Sequence, residues 1–302
     1  MVQNFLRHID ACTRHDPAAF VPFCIANKQP GWVRRDFLPL ITSVKGFAFD
    51  GAALRLCPAS DTPEERTQAL NEATAVLSAH FNVPPRAEIY PVVEQWGEEP
   101  LAEIDRAAIP WFGTPGFGVH VNGYVRQPDG LYLWIAERAM DREIDPGKLD
   151  NMIGGGLPLG LTIEENFAKE AWEEAGLTPD IVAQGQRVAT LHYRVDMMKG
   201  VRNDTLFVFD LEMPATLIPR NTDGEVGAFT LMPAAKVVDI VAQTDRFKFN
   251  CNLVLIDFFL RHGLIGPAQP MIPCLPRLTR SEHKPAAARP QAKRPPREAN
   301  AT

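Results

Sequence analysis

The stretch GGGLPLGLTIEENFAKEAWEEAGL, residues 154–177, leaves the backbone few choices. Gly154, Gly155 and Gly156 open it, and glycines let a chain pass close to a ligand. Thr162 with Glu165 three residues on is a capping box, which starts a helix near Ile163. Gly176 is a natural helix end, and Pro179 bars continuation. The spacing predicts a glycine-rich loop, a short helix and then a strand from Ile181. Within the helix, Glu170, Glu173 and Glu174 stand at i, i+3 and i+4, on one side. Ala168, Ala171, Trp172 and Ala175 fall opposite, giving an apolar back and a carboxylate front. Clustered carboxylates repel one another unless a cation shares them. Mg2+ prefers a few carboxylates together with water and substrate phosphates. A solvated acidic face is the plainer reading of the glutamates alone. The glycine run ahead of them favours phosphates and a metal held between loop and helix.

The surroundings of this unit predict an α/β fold. From Gly113 onward the pattern is strands with short connections. VHVNGYV and LYLWIAER flank the turn signal Gln127-Pro128-Asp129-Gly130 and read as a hairpin. Asp204–Met213 reads as a strand and Asn252–Arg261 as an apolar helix. Strands around a loop and helix, with helices to either side, give a mixed sheet between helix layers. Residues 1–112 read as a smaller α+β domain, with helices over Phe5–Cys12 and Thr62–Phe81 and strands around Phe47–Leu56. They hold no constellation with clear chemistry, and Trp32, Trp96 and Trp111 there read as core more readily than as stacking platforms. Residues 113–270 form the second domain. Residues 271–302 are basic and rich in proline and alanine, a composition with too little apolar surface to offset ordering entropy, so they read as a disordered tail.

Composition excludes several classes of partner. A net charge of −6 gives no global attraction to nucleic acid. No apolar run is long enough for a membrane helix, and the start lacks a signal-peptide pattern, so the cytoplasm is the expected compartment. Cys12, Cys24, Cys57, Cys251 and Cys274 are scattered without a C-x-x-C pair, and the histidines lack zinc spacing.

The stretch 154–177 resembles the signature of Nudix hydrolases, G-x5-E-x7-R-E-U-x-E-E-x-G-U with U apolar. Anchored on Gly155 it matches at Glu170, Ala171, Glu173, Glu174, Gly176 and Leu177. Leu161 stands in place of the first Glu and Lys169 in place of Arg, two residues that commonly support the helix and orient its carboxylates. The flanks GVHVNGYV, PGKLDNMIGGGLPLG, NTDGEVGAFTLMP and FKFNCNLVLIDFFLRHG are similar to the Nudix group related to the extension of fungal thiamine pyrophosphokinases. The segment before them resembles the domain that precedes Nudix in that group.

The resemblance implies a Nudix α/β/α sandwich and Mg2+-dependent hydrolysis of a diphosphate linkage, with Mn2+ as a substitute ion. It implies catalytic roles for Glu170, Glu173 and Glu174. Glu173 and Glu174 bind metal with help from the Gly154 carbonyl, and Glu170 either binds metal or acts as base on the attacking water. Lys169 supports the helix. Glu225, in TDGEVG, is either a further metal ligand or a surface turn residue. Arg138 and Lys148 are candidates for substrate phosphate, and Lys148 equally for bracing the loop. The implied substrate is thiamine diphosphate or an oxidised derivative, cleaved to the monophosphate, with Trp96, Trp111, Trp134 or Tyr193 as candidate ring contacts. Oxidised nucleoside diphosphates are the nearest alternative. A Nudix-like binding module without catalysis is the rival class, favoured by Leu161 and Lys169 and opposed by retention of three repelling carboxylates. The expected partner is a small-molecule diphosphate, with room for a homodimer and none for nucleic acid or membrane.

Overall fold

Hydrophobic alternation and helical periodicity build two units in succession. The structure, a computed structural model, describes residues 2–266. The expected tail at 271–302, and Cys274 with it, lies outside them. The chain runs α1 (Val2–Thr13), β1 (Phe20–Ile25), β2 (Lys28–Arg34), α2 (Leu38–Ile41), β3 (Phe47–Phe49) and β4 (Leu54–Leu56). Then follow α3 (Pro63–Phe81), β5 (Ile89–Val92), β6 (Ala102–Asp105) and α4 (Ile109–Phe112). The second unit continues with β7 (Pro115–Gln127), β8 (Gly130–Arg138), β9 (Leu149–Asp150), β10 (Ile153–Gly156) and α5 (Ile163–Ala175). It ends with α6 (Pro179–Val182), β11 (Gln186–Met197), β12 (Gly200–Glu212), β13 (Val226–Pro233), α7 (Ala234–Gln243) and α8 (Cys251–Arg261).

In the first unit, β2-β1-β4-β3 form a sheet, and β5 pairs with β6 in a separate ribbon. Helix α3 begins where the Thr62 side chain accepts from the Glu65 amide and Pro63 opens the first turn. Its buried Ala69, Leu70, Ala73 and Leu77 join Phe23, Ile25 and Leu54 of the sheet in one core.

The second unit is a mixed sheet in the order β11-β12-β7-β8-β13, with β10 paired to β7 and β9 to β8. Only β7 and β12 run parallel; the other pairs are antiparallel. Alternation along β7 sends Phe117, Val119 and Val121 to the core shared with Phe167 and Ala171 of α5. Gly116, Gly118, His120 and Asn122 therefore face the other way. On that face lie α7, α8 and also α1, whose Phe5 and Ile9 pack among Phe259, Leu253 and Val254. The result is the expected α/β/α sandwich. No helix of the described residues is long and apolar enough to cross a membrane.

Two local expectations change. Ile181 lies in the short helix α6, and the strand after it begins only at Gln186. Gly176 already ends α5, and Pro179 starts a new turn, since proline suits the first helical position. The second change is at α1, which local reading groups with the first domain but which packs on the second unit's sheet and helices.

Phe5 is buried and meets Phe259 edge-on, with ring centroids 6.4 Å apart. Phe5→Ala should destabilise the protein by about 3 to 5 kcal/mol, the usual range for removing a buried aromatic. Denaturant unfolding followed by near-ultraviolet circular dichroism measures it; a change under about 1 kcal/mol would mean that α1 does not hold the unit together.

Candidate active site

Helix α5 is fixed at both ends before any ligand is considered. Thr162 Oγ1 accepts from the Glu165 amide at 3.1 Å while Glu165 Oε2 accepts from the Thr162 amide at 2.8 Å. At the other end Gly176 takes φ +62°. The segment after β12 closes over the last carbonyls, with Thr222 N–H to Glu173 O at 3.0 Å and Arg220 N–H to Ala175 O at 2.9 Å.

The helix is not split into an apolar back and a carboxylate front. Its buried residues are Ile163, Asn166, Phe167, Glu170, Ala171, Glu174 and Ala175, whereas Ala168 is exposed and Trp172 is 56% exposed. Glu170 and Glu174 thus share the buried face with the apolar residues, and only Glu173 stands at its margin.

The glycine run is a strand, not a loop. Gly154, Gly155 and Gly156 pair with His120, Val119 and Gly118 of β7. Glycine is required by close approach on both faces. A Cβ on Gly155 would lie 2.0 Å from Glu170 Cδ, and one on Gly156 would lie 2.1 Å from Tyr90 Oη. Gly155 O points toward β7, so the backbone groups of its neighbour Gly154 point to the strand's free edge. There the Gly154 N–H donates to Glu174 Oε2 at 2.8 Å.

This edge gathers negative charge in a dry place. Burial pushes the Glu174 carboxyl well above the ordinary range; the Gly154 N–H opposes that, and the charges of Glu170, Asp150 and Glu225 add to it. Burial also raises Glu170, against the pull of Lys169 and with repulsion from Glu173 and Glu225. Lys169 Nζ lies 2.6 Å from Glu173 Oε2 and 3.1 Å from Glu170 Oε1, so its flexible stem brings the ammonium back over the carboxylates. Leu161 packs against the core beneath α5. Glu225 reaches the same neighbourhood and pairs with Arg142 at 2.7 Å. Two buried carboxylates with raised proton affinity, beside an outward-facing Gly154 carbonyl, suit a hard divalent cation.

The predicted phosphate cations are held by other partners. Arg138 is spent on Asp150 Oδ2 at 3.2 Å and on the Ile144 carbonyl at 3.0 Å. Lys148 faces Asp145 at 3.8 Å and braces the turn after β8. The ring-contact candidates are also occupied: Trp111, Trp134 and Tyr193 are buried, and Trp96 packs on Phe117.

Behind Gly154 lies a group that spacing does not reveal. His120, Asp150 and Cys251 are all buried, and their ligand atoms lie within 4.8 Å of one another; among the described residues it is this trio, not the three glutamates, that meets that closeness. Cys251 Sγ donates to Asp150 Oδ1 at 2.6 Å, and His120 Nδ1 lies 2.9 Å from Asn151 Oδ1. Burial pushes Asp150 up, but Lys248, His120, the Cys251 thiol and Arg138 outweigh it and hold the carboxyl below its usual range. Burial holds the Cys251 thiol protonated. With its charge already shared by Lys248 and Arg138, Asp150 anchors the approach to β10. The three residues sit in GVHVNGYV, PGKLDN and FKFNCN, so the flanking motifs were the available signal.

The chain matches a domain of unknown function (DUF4743) over residues 4–115 and the NUDIX domain over residues 116–252. Nudix hydrolase 24, chloroplastic, of Arabidopsis thaliana is 37% identical over 273 residues, 88% of this chain and 75% of that protein. Nudix hydrolase 20, chloroplastic, of the same plant is 34% identical over 277 residues, 87% of this chain and 74% of that protein. The crystal structure of DR0079 from Deinococcus radiodurans aligns with 57% of this chain and 100% of its own, at 22% identity and a TM-score of 0.45. The chain belongs to the Nudix hydrolase family.

The raised carboxyls set a pH dependence. A folded-state value above the unfolded one gives stability that is present below the ordinary glutamate range and is lost as pH rises through the raised values. A divalent cation bound there would replace those protons, so it should stabilise more as pH increases. The rise in melting temperature caused by Mg2+ should grow as the pH is raised from the ordinary glutamate range through the raised values. Scanning calorimetry across that window checks it, and a flat or falling increment would remove these carboxylates from the cation site.

Proposed function

We propose that the second unit hydrolyses the phosphorus anhydride of a small-molecule diphosphate, with Mg2+ held by Glu170, Glu173, Glu174 and the Gly154 carbonyl and with Mn2+ able to substitute. The observation that carries this reading is the Glu174 carboxylate on the Gly154 amide, with Glu170 against Gly155 beside it. When bound, the cation would neutralise phosphate oxygens and stabilise the leaving group. Glu170 either shares that cation or takes a proton from the attacking water. Lys169 orients Glu170 and Glu173, and Leu161 supports the helix by packing where a charged residue is usual. Glu225 adds a further acid, held in reserve by Arg142.

Thiamine diphosphate or an oxidised derivative is the substrate class, cleaved to the monophosphate. The likeness of the flanking motifs to the thiamine-pyrophosphokinase-associated group supports it. Oxidised nucleoside diphosphates come second, because the same carboxylates would serve them. The free thiols of Cys12, Cys24, Cys57 and Cys251 support a reducing compartment such as the cytoplasm.

Glu174→Gln keeps an acceptor for the Gly154 amide but removes the charge. It should fold normally and lose turnover by at least about 100-fold, a loss typical of removing such a group. Steady-state kinetics at saturating Mg2+ decide it, with near wild-type turnover counting against the ligand assignment. Substrate choice is read from kcat/KM for thiamine diphosphate, its oxidised forms, 8-oxo-guanosine diphosphate and ADP-ribose under one Mg2+ concentration. A preference of about tenfold or more for ADP-ribose would defeat the thiamine reading and leave only the reaction class.

A further inference from the structure

The first unit touches the glycine strand directly. The Leu159 amide, between β10 and α5, donates to the Ile89 carbonyl of β5 at 2.8 Å. Tyr90, the next residue of β5, lies over Gly156 so closely that a methyl group there would meet its hydroxyl. The Arg106 guanidinium is beside the same glycine, 3.5 Å from where that methyl group would be. Gly156 is one residue beyond Gly155, which carries Glu170 on the opposite face. The first unit therefore brings an arginine to within a residue of the carboxylate edge.

Arg106 is held for this position. Asp105 accepts from the amides of Arg86, Ala87 and Ala107, which tightens the backbone around it, and the Arg106 amide donates to the Glu88 carbonyl at 2.8 Å. One guanidinium nitrogen bonds Glu88 Oε2 at 2.6 Å, and the side chain stays 49% exposed. An arginine has five donors in a planar fork, so most of them stay available to a phosphate. A second guanidinium, Arg202 at the start of β12, is close enough to repel it. Arg202 bears on Asp204 at 3.4 Å and stands over the Phe249 ring. Arg202 is thus committed to Asp204, and Arg106 keeps the freer guanidinium. By contrast, Arg138 and Lys248 are committed to buried Asp150, and Arg142 to Glu225.

We propose that Arg106, supplied by the first unit, contacts a phosphate of the diphosphate ligand at the glycine strand. The first unit then completes the site instead of merely preceding it. This rests on the diphosphate reading of the carboxylate edge. It also gives that unit a role: a ligand must satisfy groups from both units at once, so the seam selects among compounds that share a diphosphate.

The test uses the full chain with inorganic diphosphate as probe and no added metal, so that cation contacts are read apart from the carboxylates. Diphosphate should raise the unfolding midpoint of the wild type. Arg106→Gln should lose about half or more of that rise, Arg106→Lys should restore part of it because a point charge replaces a fork, and Arg86→Ala should keep it. Arg86 pairs across the seam with Glu143 at 2.6 Å without touching Gly156, so its loss reports simple loosening of the two units. With Mg2+ and a hydrolysed substrate, Arg106→Gln should raise KM by about tenfold while kcat stays within about threefold. The proposal is overturned if diphosphate does not move the wild-type midpoint, if Arg106→Gln keeps the full rise, or if Arg86→Ala loses as much. It is also overturned if KM is unchanged. A wild type that hydrolyses no diphosphate would sink the proposed reaction, while the metal-free midpoint would still decide Arg106.

Discussion

The contact on which the site depends is the packing of α5 against the three consecutive glycines that end β10. Gly155 lets the Glu170 carboxylate come to the backbone itself, and the neighbouring Gly154 amide fixes Glu174. A Cβ on Gly155 would push the helix away. The closeness has an electrostatic consequence. Two carboxylates held out of water beside each other favour protons or a cation over bare charge. Helix geometry, proton affinity and metal preference thus follow from one packing decision.

The strand is in turn held from behind. Asp150, just before it, gathers Arg138, Lys248 and Cys251. From His120 a buried chain of hydrogen bonds runs through Asn151 and Asn122 to Asp210, which Arg261 of α8 closes. Buried polar networks of this kind are costly when one member is missing and rigid when complete. Gly154 therefore has the carboxylate edge on one side and this network on the other. The sheet's two faces meet at a single residue, and the first unit reaches the same strand two residues further on at Gly156.

Much of this was legible in the chain. The capping box at Thr162 and Glu165, the stop at Gly176 and the hairpin around Asp129 are local, and local rules place them correctly. So is the membership of Glu170 and Glu174 in one helical stripe. What local rules missed is which side of the stripe is buried. Ala168 and Trp172 look like a core face by hydrophobicity, but α5 sits on β10 rather than squarely on the sheet centre, which turns them to solvent. Three glycines in a row suggest a loop, and pairing with β7 makes them a strand. Arg138 and Lys148 were near the site in sequence, yet Asp150 and Asp145 had already claimed them.

The sequence by itself determined the helix, its ends, the carboxylate spacing and the alternation that builds a mixed sheet, because each depends on residues within a few positions of one another. The tertiary structure alone decided which cations stand by the glycine strand and which are consumed elsewhere. It brought Arg106 next to Gly156 across some fifty residues, and Cys251 to Asp150 across about a hundred. No periodicity encodes such meetings. They follow from how the two units and the layers of the second pack on one another, where burial fixes the partners that charge alone leaves open.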